Sequence, residues 1–316
     1  MPVIESAFEP AWWLPGHHPP TLWPSLFRRR PALPGLQRER VELPDGDFLD
    51  LSWHGEEQAP IVMLLHGLEG SLDSHYARPL LKALADAGYL ACMMHFRGCS
   101  GEPNRLPRSY HSGDSAELQT ITEHIRHSRK QPVHAIIGFS LGGNVLLKWL
   151  GEQGAAAGIH RAMAVSVPFL LDQAADRLDQ GFSRLYQKHL LDSLKKKYRE
   201  KFRHMPSPLG VDLDQIRNFR QFDEQITAPL HGFAGADDYY RRCSCRQFIP
   251  GIRVPTLILH DRYDPFMWPH TVPEEDELPE KVVLELAEGG GHAGFVCNAG
   301  CGYWTDRRLL EWLAQA

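Results

Sequence analysis

Long apolar runs are absent from this sequence: no stretch approaches the about 18 consecutive residues that a membrane-spanning helix needs. The first residues, MPVIESAFEP, also lack the basic leader and apolar segment of a secretory signal, so we predict a cytoplasmic protein with no stable membrane insertion. The formal net charge of -5 offers no general attraction for nucleic acid or acidic membranes. We therefore expect no nucleic-acid partner, and a peripheral membrane contact would need a local patch.

Cysteine is also scarce, and the six present are at positions 92, 99, 243, 245, 297 and 301. They are too few for a disulfide scaffold and fit reduced thiols in a cytoplasmic protein. Cys243, Cys245, Cys297 and Cys301 could in principle meet around zinc, but their spacings match no common zinc site. Free or buried thiols are favoured, and we predict no bound metal.

Two nucleotide-binding motifs are missing as well. No Gly-x-Gly-x-x-Gly follows the first strand of the predicted sheet, and no Gly-x-x-x-x-Gly-Lys-[Ser/Thr] occurs anywhere in the chain. Use of a dinucleotide or a nucleoside triphosphate is therefore disfavoured, and the sequence predicts no cofactor.

Short apolar runs alternate with helical stretches from Pro60 onward, as is typical of a parallel sheet covered on both faces. The runs are IVMLLHG, YLACMMHF, HAIIGFS, RAMAVSVPF, VPTLILHD and KVVLELAEG. Ahead of them, alternating polar and apolar residues around an Asp45-Gly46 turn predict an antiparallel hairpin. The predicted fold class is α/β, with a mostly parallel, doubly wound sheet.

Two segments add to this sheet. Residues 1 to 35 are rich in Pro and Trp and suit an irregular arm better than a helix or strand. Residues from about 170 to 250 separate RAMAVSVPF from VPTLILHD and are far too many for a simple crossover, so we interpret them as an inserted helical lid. The 316 residues then form a single domain, 1-316, with an arm and a lid.

Apolar residues recur within the lid at three- and four-residue steps from Phe182 to Phe202. We expect a helix packed on the body, with a solvated basic back. The residues of that back are Lys188, Lys195, Lys196, Lys197 and Lys201. The alternative is a helix that docks on a membrane surface.

Ser140 lies in Gly-Phe-Ser-Leu-Gly, directly after the apolar run HAII and directly before a predicted helix. A nucleophilic serine in this context stands on a sharp strand-to-helix turn, and glycines two positions to either side remove Cβ atoms that would collide there. The strand, turn and helix context predicts that Ser140 is a catalytic nucleophile.

A serine nucleophile needs a histidine base, and the base needs an acid that orients it. His292 follows three glycines after the last predicted strand, where an α/β sheet of this kind places its base. Asp264, just beyond the strand TLILH, is the favoured acid because Pro265 restricts the backbone that carries it. Asp261 is the rival, with capping of the strand end as its other role.

The oxyanion of such a reaction requires fixed backbone donors. We predict the amide of Leu141, which follows the nucleophile, and the amide of Leu68 in the loop after IVMLL. His66, in the same loop, is expected to be structural.

Taken together, these residues resemble the YheT-like branch of the α/β-hydrolases, the AB hydrolase 4 family. The resemblance runs nearly from end to end and is carried by WWLPGHHPPTLWPSLFRR, LLHGLEGS, HFRGCSGEPNRLPRSYHSGD, GFSLGGN, FDEQITAPLHGFAGADDYY, DPF and GGGHAGF. It implies the α/β-hydrolase fold with an inserted helical lid, and Ser140, Asp264 and His292 as the catalytic triad.

The sequence departs from the family pattern at GHHPPT in the arm and at His95 before FRG, and we expect both positions near the cleft. Four polar residues of the family stretch have no assigned role, and a buried network that braces the loop is favoured over participation in catalysis. They are Arg97, Glu102, Asn104 and Asp114.

The predicted function is hydrolysis of a carboxylic ester, or alternatively a thioester, of an aliphatic acyl group through an acyl-Ser140 intermediate. The substrate would be a small-molecule or lipid-like acyl ester. Acyl transfer from the same intermediate and a non-catalytic ligand-binding member of the fold are the alternatives. Residue spacing defines neither the natural substrate nor the oligomeric state.

Overall fold

The strands of the computed structural model, which describes residues 2–298 and 302–315, form one nine-stranded sheet within those ranges. They are β1 (Val3–Glu5), β2 (Gln37–Glu42), β3 (Phe48–His54), β4 (Ile61–Leu65), β5 (Leu90–His95), β6 (Val133–Phe139), β7 (Arg161–Val165), β8 (Thr256–Asp261) and β9 (Val282–Ala287). Their order is β1-β9-β8-β7-β6-β4-β5-β3-β2. The β2-β3 and β3-β5 pairs are antiparallel and the others parallel, which confirms the predicted mostly parallel sheet.

Helices cover both faces of this sheet. They are α1 (His18–Phe27), α2 (Ala77–Asp86), α3 (Ser115–Ser128), α4 (Leu141–Gln153), α5 (Leu171–Leu178), α6 (Ser183–Lys201), α7 (Phe219–Phe222), α8 (Ala228–His231), α9 (Ala236–Cys243) and α10 (Trp304–Leu313). Alternate residues of a strand point to opposite faces. Met63 of β4 accordingly packs in one core with α3 and α4, whereas Leu64 packs in the other with α2 and α10.

The prediction of a wholly irregular N-terminal arm is wrong at two places. Residues 3 to 5 form β1, which pairs with β9, and residues 18 to 27 form α1. Pro19 and Pro20 occupy the first turn of α1, where backbone N–H groups have no intrahelical partner, so proline there costs no hydrogen bond. A Pro-rich segment can therefore begin a helix.

The helices α5 to α9 lie between β7 and β8, with a π-helical turn at Asp223–Thr227. They bury small apolar clusters of their own around Tyr239 and Ile216. Within the described ranges, no helix is both long enough and apolar enough to span a membrane.

The solvated basic back expected on α6 is wrong for three of its five lysines. Lys195 is partly buried and donates to the Ile216 carbonyl oxygen within the insertion. The Lys201 side chain is buried and donates to the carbonyl oxygens of Pro107 and Arg108. The Lys197 ammonium lies 2.9 Å from the Glu69 carboxylate. These two lysines face the body because the loops beside β4 and α3 supply oxygen acceptors for their charges.

The expectation of reduced thiols throughout is wrong for Cys297, which is disulfide-bonded. Cys301 lies outside the described residues. Cys92, Cys99, Cys243 and Cys245 are buried free thiols. Among the described side chains, no group of three or more His, Cys, Asp or Glu could hold a metal ion.

Candidate active site

Ser140 stands on the turn between β6 and α4 with φ 51° and ψ -116°, a backbone conformation that non-glycine residues rarely adopt. A Cβ at Gly138 would lie 2.4 Å from the Gly142 carbonyl oxygen, and one at Gly142 would lie 2.6 Å from that of His66. Both positions therefore require glycine. The Ser140 amide donates to the Val165 carbonyl at 2.8 Å, which fixes the turn to β7.

The side chains of Ser140, His292 and Asp264 form a hydrogen-bonded chain. The Ser140 Oγ lies 3.1 Å from His292 Nε2, and His292 Nδ1 lies 2.8 Å from Asp264 Oδ2. The Asp264 side chain is fully buried and that of His292 is 11% exposed. In this arrangement Nδ1 donates to the carboxylate and leaves Nε2 free to accept the serine proton. The structure thus brings together the three residues predicted as a triad.

Asp261, the rival acid, takes a different position. Its carboxylate accepts from the Gly291 amide at 2.5 Å and from the Tyr263 amide at 3.0 Å, and it lies 3.4 Å from His17 Nδ1. Burial raises the pKa of this carboxyl above its ordinary value, against the two backbone donors. Asp261 therefore braces the loop that carries His292 and does not touch the imidazole.

Backbone contacts hold His292 from both sides. Its amide donates to Thr21 Oγ1 of α1 at 2.8 Å, and the next amide, that of Ala293, donates to Ser166 Oγ at 2.9 Å. The Phe266 ring stacks on the imidazole with centroids 3.8 Å apart. Three separate segments of the chain thus hold the His292 side chain in place.

The two predicted oxyanion donors both line the cavity next to Ser140. Leu141 is the first residue of α4, where an amide has no intrahelical acceptor. In the loop after β4, the Gly67 amide donates to Tyr76 Oη at 2.9 Å and the Glu69 amide to Tyr110 Oη at 2.8 Å. Neither bond uses the Leu68 amide that lies between them.

His66 is fully buried and has both ring nitrogens engaged. Nδ1 donates to the Gly67 carbonyl at 2.7 Å, and Nε2 accepts from the Phe96 amide at 3.1 Å. Burial lowers the pKa of His66 to about 3, so it is neutral at ordinary pH. As expected from the sequence, it holds the loop and is not placed to act as a second base.

A mostly apolar cavity extends from Ser140 under the inserted helices and contains about 1130 Å³ of empty space, its open mouth included. Its walls come largely from α5, α6, α7, the π-helical turn and α9. The apolar lining residues of these segments are Leu171, Ala174, Ala175, Leu178, Leu190, Leu194, Tyr198, Phe219, Phe222, Ile226, Tyr239 and Tyr240.

A few polar groups interrupt the apolar wall. Asp223 accepts from Tyr240 Oη at 2.7 Å and from Thr227 Oγ1 at 2.6 Å. Burial raises the pKa of Asp223 to about 6, and these two donors oppose the shift. The Asp223 side chain on the cavity wall therefore changes charge near pH 6, well above the ordinary range of an aspartate.

Three of the four unassigned family residues belong to buried polar networks. Arg97 pairs with Asp47 at 2.8 Å and also with Glu117, while Asn104 donates to Asp47 at 2.6 Å. Asp114 accepts from Arg108 at 2.9 Å. Such networks brace the loop after β5, as expected.

Two expectations about this region are wrong. Glu102 is 52% exposed and pairs at the surface with Arg40, since it stands at the tip of the loop. His95 is buried and its Nε2 lies 2.9 Å from Ser52 Oγ. It does not line the cavity because its side chain projects from β5 toward β3. The GHHPPT segment, by contrast, lies beside the His292 loop.

Sequence reasoning missed the residues that join the site to distant segments. Thr21, Ser166 and Lys197 are of this kind, and so is Asn144. The Asn144 amide group donates to the carbonyls of Ser112 and Cys243 at 2.7 and 2.8 Å, and its oxygen accepts from the Cys245 amide. The sequence offered one signal for Asn144: it directly follows the glycines Gly142 and Gly143, which come just after Ser140.

Comparisons with known proteins agree with this fold. Residues 60–299 match the sequence profile of the family described as alpha/beta hydrolase fold. The esterase Pf2001 of Pyrococcus furiosus has a similar structure, with a TM-score of 0.58 over 88% of this chain and 91% of that one at 18% identity, a likeness that shows the fold. The protein therefore belongs to the α/β-hydrolase family.

Two curated relatives refine this class. The chain is 40% identical over 305 residues to "Putative esterase YheT" of Escherichia coli (strain K12). The match covers 94% of this chain and 89% of that protein. It is 26% identical to "Phospholipase ABHD3" of Mus musculus over 93% of this chain and 74% of that one. Within the α/β-hydrolases, the chain is thus a member of the YheT-like branch.

Proposed function

We propose that this protein is a serine hydrolase that cleaves carboxylic esters of aliphatic acids through an acyl-Ser140 intermediate. The observation that carries the proposal is the hydrogen-bonded chain Ser140-His292-Asp264, which ends at a mostly apolar cavity. The geometry is that of a nucleophile, a base and an orienting acid.

In the proposed reaction, His292 Nε2 takes the Ser140 proton while Oγ attacks the ester carbonyl. The amides of Leu68 and Leu141 donate to the oxyanion that forms. The imidazolium, stabilised by Asp264, returns its proton to the departing alcohol and leaves the acyl-serine ester. Water, deprotonated by the same imidazole, then attacks that ester, and the acid product departs with Ser140 restored.

The lining of the cavity supports an aliphatic acyl group as the bound part of the substrate. Each methylene removed from water contributes roughly 0.8 kcal/mol to the free energy of binding, so the apolar cavity favours a longer acyl chain. The names of the two relatives, an esterase and a phospholipase, also support ester chemistry on lipid-like molecules. We propose a small-molecule or lipid-like acyl ester as the substrate.

Covalent labelling tests the nucleophile. A fluorophosphonate probe should label the native protein at Ser140, and Ser140→Ala should abolish labelling. Ser109→Ala is the matched control because Ser109 also lines the cavity but contacts neither His292 nor Asp264. Labelling that survives in Ser140→Ala would refute the proposed mechanism.

An ester series tests the role of the cavity. p-Nitrophenyl esters from acetate to decanoate should show kcat/KM rising with chain length, and Ile226→Trp should remove the rise by filling the cavity. Gln215→Trp is the control, since Gln215 is exposed on the same insertion and does not line the cavity. Acyl-coenzyme A substrates, assayed in parallel, would reveal thioester cleavage, and added alcohols or amines would reveal acyl transfer.

A further inference from the structure

The exposed apolar side chains of this protein are concentrated in one region. Among the described residues nine large hydrophobic side chains are exposed, and eight of them belong to the segment from Trp12 to Phe27 or to residues near it. We name these eight the arm patch: Trp12, Trp13, Leu22, Leu26, Phe27, Phe182, Leu185 and Tyr263. Soluble proteins rarely expose apolar side chains in such a cluster without an interaction to bury them.

Aromatic contacts join the members of the arm patch. Trp23 lies between Trp13 and Phe27, with ring centroids 4.6 and 4.1 Å away. His18 contacts Phe182 of the lid at 4.5 Å. Leu22 and Leu26 follow His18 at four-residue steps along α1 and so share one face of that helix. The patch thus continues from the arm onto the start of α6.

The arm patch lies close to the catalytic base. On α1, the buried Thr21 binds the His292 amide, while Leu22 and Leu26 are exposed to solvent. A second connection is a series of ring contacts from Phe182 through Tyr186 and Phe266 to His292. The centroid distances are 5.8, 4.9 and 3.8 Å, and only the last pair is stacked. Whatever covers the patch therefore meets the protein beside its candidate active site.

Exposed cations border the arm patch. Arg28 is buried and paired with Asp306, but Arg29 and Arg30 are exposed at the end of α1. Arg184 is exposed between Phe182 and Leu185. None of the three exposed arginines forms an ion pair with any part of the chain that the structure describes. Tryptophan and phenylalanine bordered by arginine form the surface that an anionic lipid interface recognises.

We propose that the arm patch docks on an anionic lipid surface and presents the candidate active site to it. A second copy of the chain suits this surface less well. A symmetric dimer formed through the patch would bring the same exposed arginines of two protomers toward one another. The docking does not depend on the proposed hydrolysis, because binding to lipid is measured without turnover.

Vesicle sedimentation tests the proposal. Large unilamellar vesicles of phosphatidylcholine containing phosphatidylglycerol are mixed with protein carrying Ser140→Ala, so that no lipid is consumed. The protein should co-sediment with them. Adding Leu26→Ser and Phe27→Ser should lower the partition coefficient by about tenfold or more, because both side chains would lie in the interface. Arg29→Ser with Arg30→Ser should weaken binding to these vesicles at low salt and leave binding to pure phosphatidylcholine unchanged.

Ile4→Ser is the matched control, since Ile4 is a large hydrophobic residue that is also exposed but lies on β1, outside the arm patch. It should bind vesicles as the parent protein does, and circular dichroism and Tm should show that every variant is folded. Equal binding by the Leu26→Ser, Phe27→Ser protein, or no binding by the parent, would overturn the proposal. Light scattering that showed a dimer broken by the same two substitutions, without vesicle binding, would assign the patch to a second copy instead.

Discussion

Lys197 of the inserted helix α6 forms an ion pair with Glu69 of the loop after β4, with 2.9 Å between Nζ and Oε1. Tyr110 completes the arrangement, since its hydroxyl donates to the Glu69 carboxylate and accepts from the Glu69 amide, both at 2.8 Å. Glu69 has φ 56° and follows Leu68 directly. The inserted helix α6 is therefore joined by an ion pair to the loop that carries a proposed oxyanion donor.

Replacing Lys197 should displace the Leu68 amide, which is the proposed oxyanion donor of that loop. Lys197→Met leaves the Glu69 charge without its partner, and we expect kcat to fall about tenfold, less than the about 10²- to 10³-fold typical of losing a donor outright. Lys196→Met is the control, because Lys196 is 76% exposed and lies 3.8 Å from Glu200. Steady-state kinetics of both variants with a short ester checks this. Equal kcat values would mean that the ion pair does not position the loop.

The two aspartates near the base should behave differently. Asp264→Asn should lower kcat by about 10⁴-fold with little change in Tm, because the imidazole loses the acceptor that selects its tautomer. Asp261→Asn should lower Tm and reduce kcat far less, since Asp261 binds the Gly291 and Tyr263 amides. Kinetics and thermal unfolding of both variants measure this. The reverse order of kcat losses would make Asp261 the acid.

Acid should destabilise the protein through His66. In the unfolded chain, the His66 imidazole takes up a proton below the ordinary histidine pKa of about 6.5. The folded protein does not do so until about pH 3, because burial lowers the pKa of His66 to about 3. The contribution of neutral His66 to the free energy of unfolding is therefore complete above pH 6.5. It is lost as pH falls from about 6.5 to 3, by about 1.4 kcal/mol per pH unit.

Urea unfolding between pH 8 and pH 4 measures this slope. His66→Gln should reduce stability at pH 8 by removing two buried hydrogen bonds, yet show a shallower loss on acidification. His127→Gln, at an exposed position of α3, should leave the slope as it is. An unchanged slope in His66→Gln would contradict the assignment.

Chain-length preference should depend on pH through Asp223. Burial raises the pKa of this carboxyl to about 6, so it is neutral below that value and charged above it. Charging the cavity wall disfavours an aliphatic chain, and the ratio of kcat/KM for decanoate to that for acetate should fall as pH rises from 5 to 7.5. A tenfold fall corresponds to about 1.4 kcal/mol.

The ratio cancels any titration of the catalytic groups, which affects both esters alike. Asp223→Asn should make it independent of pH. Asp237→Asn is the control because Asp237 is 81% exposed on α9. A wild-type ratio that stays constant from pH 5 to 7.5 would show that Asp223 does not contact the acyl chain of the substrate.

Local patterns were sufficient to predict the strands from β2 to β9 and the strand-to-helix turn at Ser140. The apolar run before Ser140 and the glycines around it define a strand, a turn and a helix from neighbouring residues alone. Polar contacts across long sequence separations were not predictable, because Thr21 and Lys197 acquire their partners only when separate elements pack. Pro19 and Pro20 misled for the opposite reason, since proline content suggests a loop although the first turn of a helix accepts it.

The pairing of β1 with β9, which sets Val3 opposite Leu284, has a consequence for the order of biosynthesis. Because β9 and the His292 loop follow β1 and α1 in the chain, the ribosome makes β1 and α1 well before the segments with which they pair. Thr21 and His292 are 271 positions apart, so the hydrogen bond between them likewise forms only after His292 has been made. Contacts of such separation form late in folding. A nascent chain that still lacks β9 and the His292 loop thus carries an incomplete candidate site, which is completed only when these segments meet β1 and α1.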